Sequence, residues 1–328
     1  NYQGEDDTWT VEYSTDGLSL AITYMDATQG WIPTTDDDVT DAPYKDNQEG
    51  IFGYGTTGSY TAVTNLVTNA GVVGTDVTGV GTARAYVAAC EYGEDKGIFG
   101  FGATGSIYGM TNLVSNAGVV GTDVTAVGTA RYLLAACGYG GDKGIFGFGQ
   151  SPIVGTTNLV SNSGVVASDV SAVGTARGKL AACEYGTDTA IFGFGEDASA
   201  FTGVTNLVSN VGVVATDTTG VGTARIYIGG CGYGYDKGIF GFGYDGSYIG
   251  YTNLVSNAGV VATDVTAVGT ARGWLAATQY GGDKGIFSYA WTGSVTAVSN
   301  LVSNAGVVGT DVTGVGTARY GAGACSFN

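Results

Sequence analysis

The 328-residue chain has no histidine, three prolines, two methionines and only 12% charged residues. Without histidine there can be no copper–histidine oxidase site and no Ser-His-Asp or Cys-His catalysis. So few charges do not suit long surface helices, and almost no helix is expected. Apolar runs such as YLLAAC at 132–137 fall far short of the roughly 20 residues that cross a bilayer, so no membrane insertion is expected. Basic side chains are scarce as well: 12 Lys and Arg stand against 29 Asp and Glu, for a formal net charge of −17. That field repels phosphate backbones, and nucleic acid is not expected as a partner. Asn1 in place of an initiating Met is read as the mark of a fragment or processed product.

Glycine is abundant instead, with 59 residues, and aromatic residues make up 11%. This composition suits short strands joined by tight turns. The five cysteines, Cys90, Cys137, Cys183, Cys231 and Cys325, are an odd number separated by 47, 46, 48 and 94 residues, with Thr278 in the skipped place. They read as small buried side chains at one recurrent core position, not as a disulfide framework.

Three landmarks recur in step. Ile51, Ile98, Ile145, Ile191, Ile239 and Ile286 open IF pairs; Asn65, Asn112, Asn158, Asn206, Asn253 and Asn300 open NLV; Arg84, Arg131, Arg177, Arg225, Arg272 and Arg319 close GTAR. Every step is 46 to 48 residues, giving six units. Within a unit, turn residues divide an inner strand (132–137), a strand GIFGFG (144–149), a strand of the MTNLVSN type (110–116) and a strand around VVGTDVTAV. Units of that length must stack to bury their sheets. The repeats begin within the second strand of a unit, at Gly50, and stop just after a first strand, at about 320–327. This offset predicts an all-β, six-bladed β-propeller of four-stranded antiparallel blades over 50–328, its ring closed by the C-terminal strand. Small inner strands such as AAC and GGC fit crowding at an axis.

The order of Arg, small-residue strand, turn, GIFGFG strand, loop, Asn-containing strand, turn and strand resembles the kelch repeat across residues 50–328. Phe-Gly stands where kelch carries Gly-Gly, and Val or Thr where it carries Trp. The wording TNLVSNAGVV, GTAR, LAACGYG and DKGIFGFG also resembles tandem repeats in virion proteins of environmental bacteriophages. That resemblance alone implies a viral setting, such as a tail fibre, spike or capsid decoration.

Residues 1–49 form a separate acidic β segment and linker, with 12 acidic side chains against Lys45. Alternation predicts strands over 8–13 and 18–24, with Leu18, Leu20, Ile22 and Tyr24 on the half-buried side, and a third at 30–33. Asp36, Asp37, Asp38 and Asp41 lack the oxygen spacing of a calcium loop and read as solvated charge. No metal or cofactor is expected.

The six arginines each follow, by eight residues, Asp76, Asp123, Asp169, Asp217, Asp264 or Asp311. A catalytic centre breaks symmetry, and these twelve obey it, so hydrogen bonds or ion pairs between blades are expected. Variation between copies falls in the loop after GIFGFG and in the two residues after each Arg, predicted to emerge on one face while the opposite face stays nearly invariant. The variable face carries Tyr60, Tyr86, Tyr108, Tyr132, Lys179, Phe201, Tyr227, Tyr248, Tyr251, Trp274, Trp291 and Tyr320. Stiff aromatic rings suit contact with sugars or proteins. The expectation is a non-enzymatic recognition module at a virion surface or outside a cell, binding a host glycan or a neighbouring virion or other surface protein. One alternative is a secreted glycan-active enzyme of sialidase or lyase type, for which Glu196, Asp197 and Lys179 come nearest to a site. The other is a protein-interaction propeller of the kelch sort.

Overall fold

The computed structural model describes residues 22–26, 30–33, 47–125, 127–171, 174–266 and 269–328. The chain divides into two compact units, Asn1–Lys45 and Asp46–Asn328. In the first, strands Ile22–Asp26 and Gly30–Pro33 pair antiparallel. Tyr24, expected on a buried side, is 51% exposed, and Trp31 is 46% exposed. The two rings meet edge-on at 5.4 Å, as cross-strand neighbours do in an antiparallel pair. The strand expected over 8–13 and the run Asp36, Asp37, Asp38 and Asp41 lie outside the described residues.

The second unit is all-β, with no helix among the described residues. Six small antiparallel sheets are built on the repeats. Their second strands are Glu49–Gly53, Lys96–Gly100, Lys143–Gly147, Thr189–Gly193, Lys237–Tyr244 and Lys284–Ser288. Each second strand pairs on one side with a first strand (Gly323–Phe327, Ala88–Tyr92, Ala135–Tyr139, Ala181–Tyr185, Gly229–Tyr233 and Ala276–Tyr280, in that order) and on the other with a TNLV strand. The chain's last strand thus pairs with the first strand of the repeat region, through Ala324↔Phe52 and Cys325↔Ile51. Each first strand also lies against the first strands of two other sheets, and Gly323–Phe327 lies against both Ala276–Tyr280 and Ala88–Tyr92.

Two strand expectations need correction. Inner strands begin about three residues later than expected, at Ala135 in place of Tyr132, because Leu133 takes a φ of 54° and interrupts the extended chain. The fourth strand is not continuous: it is two residues long in two sheets (Val170–Ser171 and Val265–Thr266) and reduced to isolated bridges in the others. The bridges Val114↔Val120 and Thr111↔Val124 differ by one residue in register, which is a bulge. The Asn112 amide fills the gap by donating to Gly121 O at 3.0 Å.

The IF pair explains how sheets stack. Ile and Phe of the second strand point to opposite faces and both are fully buried, as Ile145 and Phe146 show at 0% exposure. Each Phe meets an aromatic ring of a neighbouring sheet edge-on at 5.2 to 5.4 Å: Tyr54–Phe99, Phe101–Phe146, Phe148–Phe192, Phe194–Phe240, Phe242–Phe287 and Tyr289–Phe52. In five copies glycine follows the Phe, and a Cβ on Gly100 would fall 2.6 Å from the Phe146 ring; the sixth copy accommodates Ser288 there. The five cysteines are free and buried.

The arginines occupy the same interfaces, each wholly buried. Arg84 lies over the Tyr54 ring at 4.3 Å. Its Nε donates to Phe101 O at 2.7 Å, one terminal nitrogen to Thr82 O at 3.1 Å and the other to Asn112 Oδ1 at 2.8 Å. Asn112 in turn donates to Asp123 Oδ1 at 2.9 Å, and Asp123 accepts from the Thr82 N–H and hydroxyl. The carboxylate facing Arg84, 3.9 Å away, is therefore Asp123 of the following repeat, not Asp76 eight residues earlier. Asp76 accepts from the Thr317 N–H at 3.0 Å. The ion pairs Arg131–Asp169, Arg225–Asp264 and Arg272–Asp311 repeat the pattern at 3.7 to 4.0 Å. Burial pushes the guanidinium of Arg131 down to about 10, which leaves it charged at neutral pH.

Two predictions follow from this network. Asn112→Ala strips a buried guanidinium of an acceptor and is expected to cost about 3 kcal/mol in chemical denaturation. Acid should also unfold the protein. Burial raises the pKa of Asp123, but donation from Thr82 and Asn112 outweighs it and the net shift is downward, as for Asp76, Asp169, Asp217, Asp264 and Asp311. A carboxyl lowered on folding stabilises above its unfolded value and loses that contribution as pH falls through its folded value. The melting temperature should be level above about pH 5 and drop from about pH 4 downward; a level profile to pH 2.5 would refute the linkage.

Candidate functional site

After each arginine come two residues that vary between copies, and the structure separates their roles. The first bridges to the end of the second strand or the segment that follows it: Ala85↔Ala103, Tyr132↔Gln150, Gly178↔Glu196, Ile226↔Tyr244, Gly273↔Trp291 and Tyr320↔Thr56. The two variable segments therefore meet. The second residue is in the left-handed region: Tyr86 (φ 60°), Leu133 (54°), Lys179 (59°), Tyr227 (58°), Trp274 (62°) and Gly321 (64°). Their backbones are linked head to tail. Leu133 N–H donates to Tyr86 O, Lys179 to Leu133, Tyr227 to Lys179, Trp274 to Tyr227, Gly321 to Trp274 and Tyr86 to Gly321, at 2.7 to 3.3 Å.

These six residues line one cavity of about 80 Å³. The Tyr227 and Trp274 rings stack at 3.4 Å, and Trp274 approaches Tyr86 at 5.3 Å and Tyr320 at 5.7 Å. Tyr132 and Tyr320 flank Tyr86 at 5.9 and 6.2 Å, and Trp291 packs on Tyr320 at 5.1 Å. Gly321 makes this possible, since a Cβ there would fall 2.8 Å from the Tyr86 ring. Beside the rings, Lys179 is ion-paired with Glu196 and lies over Tyr227, 5.3 Å from its ring centroid. Burial pulls the Lys179 ammonium down, yet Glu196 and Tyr227 together carry its pKa above the usual lysine value. Burial pushes the Tyr86 and Tyr227 phenols up, so both stay neutral.

Of the aromatic residues singled out in the sequence, Tyr86, Tyr132, Tyr227, Trp274, Trp291 and Tyr320 form this connected set with Lys179. Tyr248 and Phe201 both pack on Tyr244, at 5.3 and 6.3 Å. Tyr60, Tyr108 and Tyr251 make no ring contact among the described residues; Tyr108 faces the Thr104 hydroxyl at 3.2 Å, and Tyr251 pairs with Thr266 in its own sheet. Tyr60 alone of the set is more than a third exposed, at 42%, and the others are partly buried. Asp197 caps its own loop by accepting from Ser199 and Ala200 N–H, so it does not oppose Glu196.

Sequence reasoning placed Leu133 and Gly321 in the variable pairs but did not name them among the face residues. It identified the variable pair after each arginine, but which member turns inward depends on a left-handed φ that the alternation of a strand does not encode. It also missed variation at the other end of the first strands. There Glu91, Glu184, Gly232 and Gln279 line a second cavity, and Gly138 holds the same place in its copy, so that face is not invariant as expected. Ser326, the sixth member of the series, donates to Glu91. No protein-family model matches the chain, and no curated protein matches it.

Proposed function

We propose that the chain is a non-enzymatic structural and recognition module of a virion surface, a tail fibre, spike or capsid decoration, that binds a host glycan or a neighbouring virion protein through its variable aromatic face. Its repeat region is read as a six-bladed propeller closed by Gly323–Phe327. The closure is supported by the pairing of that strand with Glu49–Gly53, by the Tyr289–Phe52 contact and by Asp76 accepting from Thr317. The viral setting rests on the likeness of the repeat wording to phage virion repeats.

The observation that carries recognition is the head-to-tail hydrogen bonding of Tyr86, Leu133, Lys179, Tyr227, Trp274 and Gly321. It gathers the side chains that differ between copies at one cavity, while the side chains that agree hold sheets together. Against the enzymatic alternative, Glu196 is engaged by Lys179 and Asp197 by its own loop. The arginines a sialidase-like site would use are all buried between sheets.

The test applies the full chain to arrays of glycans and of surface proteins, with product analysis of any glycan that binds. Binding without turnover is expected. Release of cleaved product would make the protein an enzyme, and binding that survives combined Tyr60→Ala, Tyr108→Ala, Trp274→Gly and Trp291→Ala would place recognition elsewhere.

A further inference from the structure

We propose that the cavity lined by Tyr86, Leu133, Lys179, Tyr227, Trp274 and Gly321 is a binding site for the uncharged terminal residue of a saccharide. The inference rests on the recognition reading above and narrows it to one site and one ligand class.

The first argument is conformational. A left-handed backbone is strained for every residue except glycine. The molecule contains a second such set, Tyr54, Phe101, Phe148, Phe194, Phe242 and Tyr289, at φ between 48° and 64°. Those rings are aromatic in all six copies, and each carries an arginine at 3.9 to 4.3 Å, so packing accounts for them. The cavity set is different. Its side chains range from glycine to tryptophan, so the repeat frame demands no one side chain of every copy, and Gly321 leaves room for the Tyr86 ring. Five large side chains kept at strained positions, all facing one cavity, point to a ligand.

The second argument is chemical. Tyr86 and Trp274, with the apolar residues Leu134, Ile228 and Leu275 that line the cavity beside them, make a wall suited to the C–H face of a pyranose, and Lys179, which lies over the Tyr227 ring, brings a donor to it for a sugar hydroxyl. The volume of about 80 Å³ admits a few waters or one terminal group, not a chain. The third argument is charge. Lys179 is neutralised by Glu196, and Lys96, Lys143, Lys237 and Lys284 are each paired with the preceding Asp. With the arginines buried, no described cation is free to hold a carboxylate or sulfate, and the formal charge of −17 opposes anions at a distance.

The experiment uses the full chain with methyl glycosides of glucose, galactose, mannose and N-acetylglucosamine, beside N-acetylneuraminic and glucuronic acids, read by saturation-transfer NMR and thermal unfolding. At least one uncharged probe is expected to bind. Trp274→Gly should weaken that binding at least tenfold with an unchanged or higher melting temperature, because it removes a strained side chain; Tyr235→Ala, in a turn between first and second strands, should leave binding intact. Binding of the acids alone, or no saccharide binding while a protein on the array is captured, would overturn the inference. So would a fall of several degrees in the melting temperature of Trp274→Gly, which would make the ring a packing element. If Trp274→Gly still binds while Tyr60→Ala with Tyr108→Ala does not, the variable face remains the recognition surface and this cavity is not the site.

Discussion

Everything in the repeat region is organised around a charged group held out of water. Each arginine is wholly buried and laid over an aromatic ring of one sheet; Arg84, Arg131 and Arg225 bond to both a carbonyl and an asparagine of the next, Arg177 and Arg319 to the carbonyl, and Arg272 to the asparagine. Burying a guanidinium is costly unless most of its donors are met, so one residue dictates the placement of several others. Asparagine must sit in the third strand to accept, aspartate must orient the asparagine, and threonine must hold the aspartate. The monotony of TNLV, TDV and GTAR is the sequence image of that chain of dependence.

The arrangement also divides labour within the molecule. The residues that agree between copies meet at sheet interfaces, where an unpaired polar group or a lost ring contact would be costly. The residues that disagree lie after the arginine and after the second strand, where backbone hydrogen bonds carry the connection and side chains are released from it. Hence Tyr86, Lys179 and Trp274 hold equivalent backbone positions with unrelated side chains. A symmetric frame can present an asymmetric lining at no cost to its interfaces.

The physical limit of sequence reading appears at single residues. Periodicity and turn chemistry placed Ile145 and Phe146 in a strand and made Arg131 a link between sheets, because those roles follow from burial and hydrogen-bonding capacity. The direction of the link was not legible: Arg84 faces the aspartate of the following repeat, 39 residues later, since the turn carries it forward into the next sheet. The discontinuous fourth strand escaped notice for a related reason, as the Asn112 side chain takes over bonds that a backbone ladder would have made.

The sequence by itself determined the six-fold division, the absence of histidine chemistry, the buried fate of the cysteines and the set of positions free to vary. These depend on composition and spacing, which need no coordinates. Only the tertiary structure decided which free positions converge. Tyr86, Lys179 and Trp274 are far apart along the chain, and their meeting at one cavity requires both the stacking of sheets and a positive φ after each arginine, neither of which a local pattern of residues specifies.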